Sequence, residues 1–261
     1  MTPSRTRAAR RGLIAAALLV CFALAAAGHI AQPFTGKREA TAPFPVSPEK
    51  LRADVTKLTT EFIPRDSEHP EVLDRAAAWL RTELEPTGAT LSEQVFQLDG
   101  KDFRNVVADF GPLTDEKIIV TAHYDAAKGF PGADDDASGT AVLLELARQL
   151  KDVKLKTRVE LVAVSLEEVS HLKTALNGSG ALAKGMKDRG EKVRAMISLE
   201  MLGCFTDAPG SQRFPAAVLK LLYPDEGNYA VVVGNLTSPA LVRRVKGGFA
   251  GATRLPVKSI N

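Results

Sequence analysis

Apolar residues first run without interruption, from Gly12 to about Gly28, as GLIAAALLVCFALAAAG. Beyond that stretch they fall into two periodic patterns. Leu51, Val55, Leu58 and Phe62 recur at helical spacing behind Ser47, Pro48 and Glu49, which supply a cap, a first-turn proline and an early acid, so a helix is expected just after Ser47. Leu73, Ala77, Leu80 and Leu84 predict a second helix, stopped by Pro86. Two short strands are expected at 92–98 and 103–110, joined by the Asp99-Gly100 turn. Strand-like apolar runs then follow at 117–122, 158–165, 193–201 and 229–233. Between them lie helical patterns at 140–150, at a segment ending near Asp188, and at 238–249. Such alternation predicts an α/β fold whose sheet is covered by helices on both faces. In such folds chemistry gathers where strands end.

The first apolar run follows Arg5, Arg7, Arg10 and Arg11 and closes on Ala25, Ala26 and Ala27, the order of a secretory signal. His29, Ile30 and Ala31 would extend it to the length of a membrane anchor. Residues 1–30 are therefore expected to be a signal peptide or signal anchor, and export to the periplasm or medium, or anchoring by residues 12–30, follows. Residues 31–46, with Pro33, Pro43 and Pro45, are expected to be a linker, and the folded domain to occupy 47–261. Without the four leader arginines the balance of basic to acidic residues falls from 34 against 31 to 30 against 31, so the positive net charge is no nucleic-acid footprint. Cys21 lies in the leader, which leaves Cys204 alone, read as a small buried side chain; an internal disulfide is excluded.

Four polar clusters sit at the expected strand ends. His123-Tyr124-Asp125 places an imidazole and a carboxylate two residues apart, on one side of an extended chain, where Asp125 can orient His123. Gly132-Ala133-Asp134-Asp135-Asp136-Ala137-Ser138-Gly139 opens a helix. One carboxylate suffices for a cap, and a bound cation would relieve the repulsion among the other two. Glu167-Glu168 closes the next strand, where adjacent side chains diverge, one towards a metal and one towards an attacking water. Ser198-Leu199-Glu200-Met201 adds one more acid. Each cluster alone is compatible with a solvated strand end. In series they describe a carboxylate-rich site for two divalent ions, zinc foremost, with cobalt and manganese sharing the ligand preference.

From about Pro70 onward, HYD, PGADDDASG, EE and SLEM, in that order, resemble the family-28 metallopeptidases, which include bacterial leucyl aminopeptidases and glutamate carboxypeptidase II. The resemblance implies a single three-layer domain with a mixed, mostly parallel central sheet, of di-zinc exopeptidase type. It implies that His123 and Glu200 hold one zinc, that Asp135 bridges two, and that Glu168 binds the second. Glu167 would be the general base and Asp125 the support of His123. The implied reaction is hydrolysis of a peptide amide: two metals ~3.5–4 Å apart lower the pKa of a shared water. The implied enzyme is an aminopeptidase.

Two departures qualify the resemblance. Val169, Ser170 and His171 follow the Glu pair where many relatives have prolines or glycines. The family's distal histidine, in a Ser-Asp-His motif, has no counterpart after Glu200, so the domain is expected to be incomplete at its C-terminus, with one zinc weakly held and this chain a poor enzyme. His171 is the substitute ligand to consider. The alternatives are a glutaminyl-peptide cyclase on the same fold and a non-catalytic binding scaffold.

Overall fold

The computed structural model describes residues 3–32, 35–36, 45–168, 177–214 and 217–261. Its contacts divide the chain into two compact units, one formed by Phe44–Cys204 and the other by Met1–Pro43 with Phe205–Asn261.

In the larger unit, helix α2 (Pro48–Thr60) starts as its sequence predicts, with Ser47 Oγ accepting the Lys50 amide at 3.2 Å. Helix α3 (Pro70–Leu84) follows and ends in a short 3-10 turn around Pro86. Strands β1 (Thr90–Leu98) and β2 (Lys101–Phe110) form the expected hairpin, with positive φ at Asp99 and Gly100. Strand β3 (Glu116–His123), helix α4 (Gly139–Leu150), strand β4 (Arg158–Val164), helix α5 (Gly178–Asp188) and strand β5 (Lys192–Ser198) complete the unit. The expected strand at 193–201 stops at Ser198: Leu199 still donates to Thr121 O, and Met201 then turns the chain away at φ 48°.

The sheet order is β1-β2-β4-β3-β5. The two hairpin-side pairings are antiparallel, and β4-β3 and β3-β5 are parallel. The result is a central mixed sheet flanked by helices, the α/β class expected. Strand alternation divides its side chains between two cores. Val106, Ala108, Val120, Ala122, Leu161 and Ala163 pack with α2, α3 and α4 residues such as Leu58, Leu80 and Leu144. Val107, Ile119, Val162 and Val164 face Leu182 and Met186 of α5. Each fully buried branched side chain contributes about 1.5–3 kcal/mol, so both faces must be covered for the sheet to be stable.

The parallel register sets His123 beside Val164, and Thr121 beside Ser198. The segments that leave β3, β4 and β5 therefore emerge at one edge, and they carry HYD, the Glu pair and Glu200.

The smaller unit contains helix α1 (Pro3–Ala31), strand β6 (Ala230–Val233), helix α6 (Pro239–Ala252) and strand β7 (Val257–Ile260). Strands β6 and β7 pair in parallel as a separate two-stranded sheet, with α6 as the crossover. Cys204, expected to be buried, is instead exposed, because the chain has already left the sheet at Glu200–Gly203.

Candidate metal centre

The centre starts from His123, the last residue of β3 and nearly inaccessible to solvent. Its backbone carbonyl accepts the Thr140 hydroxyl at 2.8 Å, which fixes the strand end against the first turn of α4. On one side of the ring, Nδ1 lies 3.3 Å from Asp125 Oδ1, close enough for charge pairing but off the line of a hydrogen bond. On the other side, Nε2 lies 3.0 Å from Asp135 Oδ1, 3.7 Å from Glu200 Oε1 and 3.9 Å from Glu167 Oε2.

The three aspartates opening α4 have separate roles because the backbone between them is not helical: Asp135 has φ −108° and ψ 95°, and Asp136 φ −129° and ψ 43°. Asp135 turns to His123. Asp136, fully buried, caps α4 through the Gly139 amide (2.9 Å) and also accepts the Met201 amide (3.2 Å). Asp134 accepts the Gly203 amide at 2.7 Å, and Ser138 Oγ accepts the Leu202 amide at 2.8 Å. The loop that carries Glu200 is thus laced amide by amide onto the aspartate segment. Gly139 is required here, since a Cβ would run into the Asp136 carboxylate.

Asp125 performs the corresponding task for the Glu pair, accepting the Glu167 and Glu168 amides at 3.1 Å each. Behind both loops lies Arg65, 1% exposed. Its guanidinium donates to Tyr124 O at 2.9 Å, Leu58 O at 3.1 Å, Gly132 O at 2.7 Å and Pro131 O. Arg65 therefore clamps the backbone on either side of the segment between Asp125 and the aspartates. Sequence reasoning missed Arg65 and Thr140; it placed Asp136 and Ser138 in the segment that opens the helix, with capping as its role, but assigned neither of them a partner. An arginine in a polar stretch gives no local signal, because most of its partners lie 59 to 67 residues away.

Of the four ligands implied by the resemblance, His123, Asp135 and Glu200 have donor atoms that all lie within 4.8 Å of one another. Glu168 stands outside that group, held beside it by its amide. His171, Val169 and Ser170 lie outside the described residues. The electrostatics are those of a site short of positive charge. Burial alone would lower the His123 pKa, but Asp125, Glu200 and Asp136 outweigh it and push it up to about 11. Burial pushes Asp136 up to about 8, with Glu200 adding to the rise. Burial and neighbouring carboxylates also raise Glu167 and Glu168. One imidazole among converging carboxylates suits a borderline-to-hard divalent cation, so the donor set fits a metal.

Comparison with known proteins agrees. Residues 105–222 match the model of peptidase family M28, a span that contains every residue of this centre except Arg65 and the Leu58 carbonyl it binds. Escherichia coli (strain K12) YfbL is 37% identical over 238 residues, covering 88% of this chain and 72% of its own. A "Probable zinc metalloprotease" of Leptosphaeria maculans is 36% identical over 124 residues, 44% of this chain but 27% of its own length. Two solved structures from Bacteroides thetaiotaomicron share the fold, each at 18% identity. A leucine aminopeptidase precursor has TM-score 0.60, covering 85% of this chain and 80% of its own. A glutaminyl cyclase has TM-score 0.62, covering 84% and 79%. With its motifs in family order, its strand-end site assembled and a relative of this identity aligned over most of both chains, the chain belongs to peptidase family M28.

Proposed function

We propose that the protein is a zinc-dependent exopeptidase acting outside the cytoplasm, an aminopeptidase that removes N-terminal residues from peptides. The observation that carries this reading is the convergence of His123, Asp135 and Glu200, with Glu167 3.9 Å from the same imidazole nitrogen. His123, Asp135 and Glu200 would hold one zinc, with Asp135 bridging to a second on Glu168. Zinc bound there would polarise the scissile carbonyl and bring the pKa of water towards neutrality.

The chain's own residues do the rest. Asp125, beside Nδ1, keeps His123 oriented with Nε2 turned to the ligand site. Glu167, about one-third exposed, faces the solvent side, takes a proton from the attacking water and passes it to the leaving amine. Asp125 also holds the Glu167 amide, which ties the base to the carboxylate beside the imidazole.

The test is metal analysis of the purified chain together with hydrolysis of aminoacyl-nitroanilides. Zinc binding with release of nitroaniline supports the reading; a metal-free, inert protein contradicts it. The glutaminyl cyclase reading keeps its place because the cyclase structure is as similar in fold as the aminopeptidase. A peptide with N-terminal glutamine separates them: cyclisation without loss of the residue would favour the cyclase, and release of free glutamine the peptidase.

A further inference from the structure

The long apolar helix ends in contacts for which a removable leader has no use. The last carbonyls of any helix lack intrahelical donors and need partners from elsewhere. In α1 helix α6, strand β7 and Asn261 just after it supply them. His29 O accepts Asn261 Nδ2 at 2.8 Å, and Ile30 O accepts the Asn261 amide at 3.1 Å. Ala31 O accepts Ser259 Oγ at 2.8 Å and Lys246 Nζ at 3.2 Å, and Gln32 O accepts Lys246 Nζ at 2.8 Å. Lys246 and Ser259 are buried. A lysine ammonium at a helix C-terminus satisfies the carbonyls and complements the helix dipole.

Further up the helix, the described side chains from Leu13 to Leu24 are exposed. Residues Leu13–Ala31 form 19 consecutive helical positions, and none of that window is buried. Leu13, Leu18, Leu19, Phe22 and Leu24 are each 66–73% exposed. At 1.5 Å per residue the window reaches about 28 Å, close to the ~30 Å hydrocarbon core of a bilayer.

We propose that α1 is a retained, single membrane span whose C-terminal turn is built into the small unit, so that the bilayer covers its exposed apolar surface. Four arginines precede the span in the sequence, which places its N-terminus on the cytoplasmic side and the rest of the chain outside. Cleavage at the small residues Ala25–Ala27 would remove the exposed apolar stretch Leu13–Leu24. It would also leave only a four-residue stub, since Gln32 N is held by Gly28 O and the preceding turn would be gone. So short a stub does not sustain helical geometry. Lys246 would then stay buried without its ordered acceptors, a costly arrangement. A cavity of about 460 Å³ beside this helix end, lined by Arg254 and Lys258 among others, presents basic groups that suit lipid phosphates. This inference does not rest on the peptidase reading.

The experiment expresses the untagged full chain in a bacterium, washes the membranes with alkaline carbonate, and measures the intact mass of the detergent-extracted protein. Carbonate-resistant protein whose mass includes residues 13–31 is expected. A soluble product beginning near Gly28 would overturn the proposal. Hydrogen exchange of the amides at 29–32 then tests the docking. Lys246→Met should speed exchange roughly tenfold and Asn261→Ala roughly threefold, the loss of a charged and of a neutral hydrogen bond. If Lys246→Met does not fold, Asn261→Ala, which loses an exposed contact, carries the test alone. Unchanged exchange in the folded variants would overturn the docked anchor even if the protein stays in the membrane.

Discussion

Asp125 and Glu168 are joined by a 3.1 Å hydrogen bond from the Glu168 amide to Asp125 Oδ2, while the other oxygen of the same carboxylate takes the Glu167 amide and faces His123. One side chain thus sets the end of β3 against the end of β4. Asp125→Asn offers only one acceptor oxygen, and its amide hydrogens would confront a backbone N–H. Zinc affinity or turnover should fall by ~10–100-fold, the usual cost of losing an outer support of a ligand, with little change in fold. Isothermal titration with zinc beside a circular-dichroism melt would check this; unchanged zinc affinity and turnover would show that Asp125 is structural only.

Base and ligand should separate by substitution. Glu167→Gln cannot accept a proton, so whatever nitroanilide turnover the protein has, low as it is expected to be, should drop by ~10²–10⁴ while bound zinc is retained. Asp135→Ala should lose the metal itself, because Asp135 is the carboxylate nearest His123 Nε2. Elemental analysis of both variants decides: equal zinc loss would mean the roles are misassigned.

Arg65→Met would strip the Tyr124 and Pro131 carbonyls of the Arg65 donor and leave Gly132 O with the Ala137 amide alone. A destabilisation on the order of 3 kcal/mol is expected, since buried groups stripped of a charged partner lose the full hydrogen bond. Chemical denaturation should show a lower midpoint, and Arg65→Lys, with one ammonium in place of a fork, should recover only part of it. A midpoint unchanged in Arg65→Met would remove the clamp from the account.

At the opposite edge of the sheet, Lys117, 1% exposed, pairs with Glu160 at 2.6 Å and Glu191 at 2.7 Å. Burial opposes ionisation of Glu191, but hydrogen bonds from Arg189 and Lys117 outweigh it and hold its pKa down at about 2, below the ordinary 4.5. A depressed folded pKa stabilises the native state above the unfolded value, and that contribution is lost as pH falls from about 4.5 to about 2. Urea midpoints of the wild type and Glu191→Gln should therefore differ at neutral pH and converge towards pH 2. A gap that stayed constant over that window would argue against the ion pair.

Much of this protein is legible in one dimension. Helical spacing behind Ser47 and the apolar runs that become β3, β4 and β5 depend only on which side chains must leave water, and residue order alone states that. The four site motifs were legible for the same reason, since parallel strands joined by crossovers deliver their C-terminal ends to one edge. Tertiary structure decided the rest. Which of Asp134, Asp135 and Asp136 faces His123 depends on two non-helical residues, and three like carboxylates in a row carry no information about torsion. The pairing order β1-β2-β4-β3-β5 joins strands, such as β2 and β4, that are not neighbours in sequence, and the setting of Glu200 by amide bonds to Asp134, Asp136 and Ser138 arises between residues more than 60 positions apart. Arg65 is the clearest case: its acceptors are backbone carbonyls, which every residue possesses, so no side-chain pattern could announce them. Hydrophobic periodicity is a local property of the chain, whereas the direction of a hydrogen bond exists only once distant backbone segments have come together.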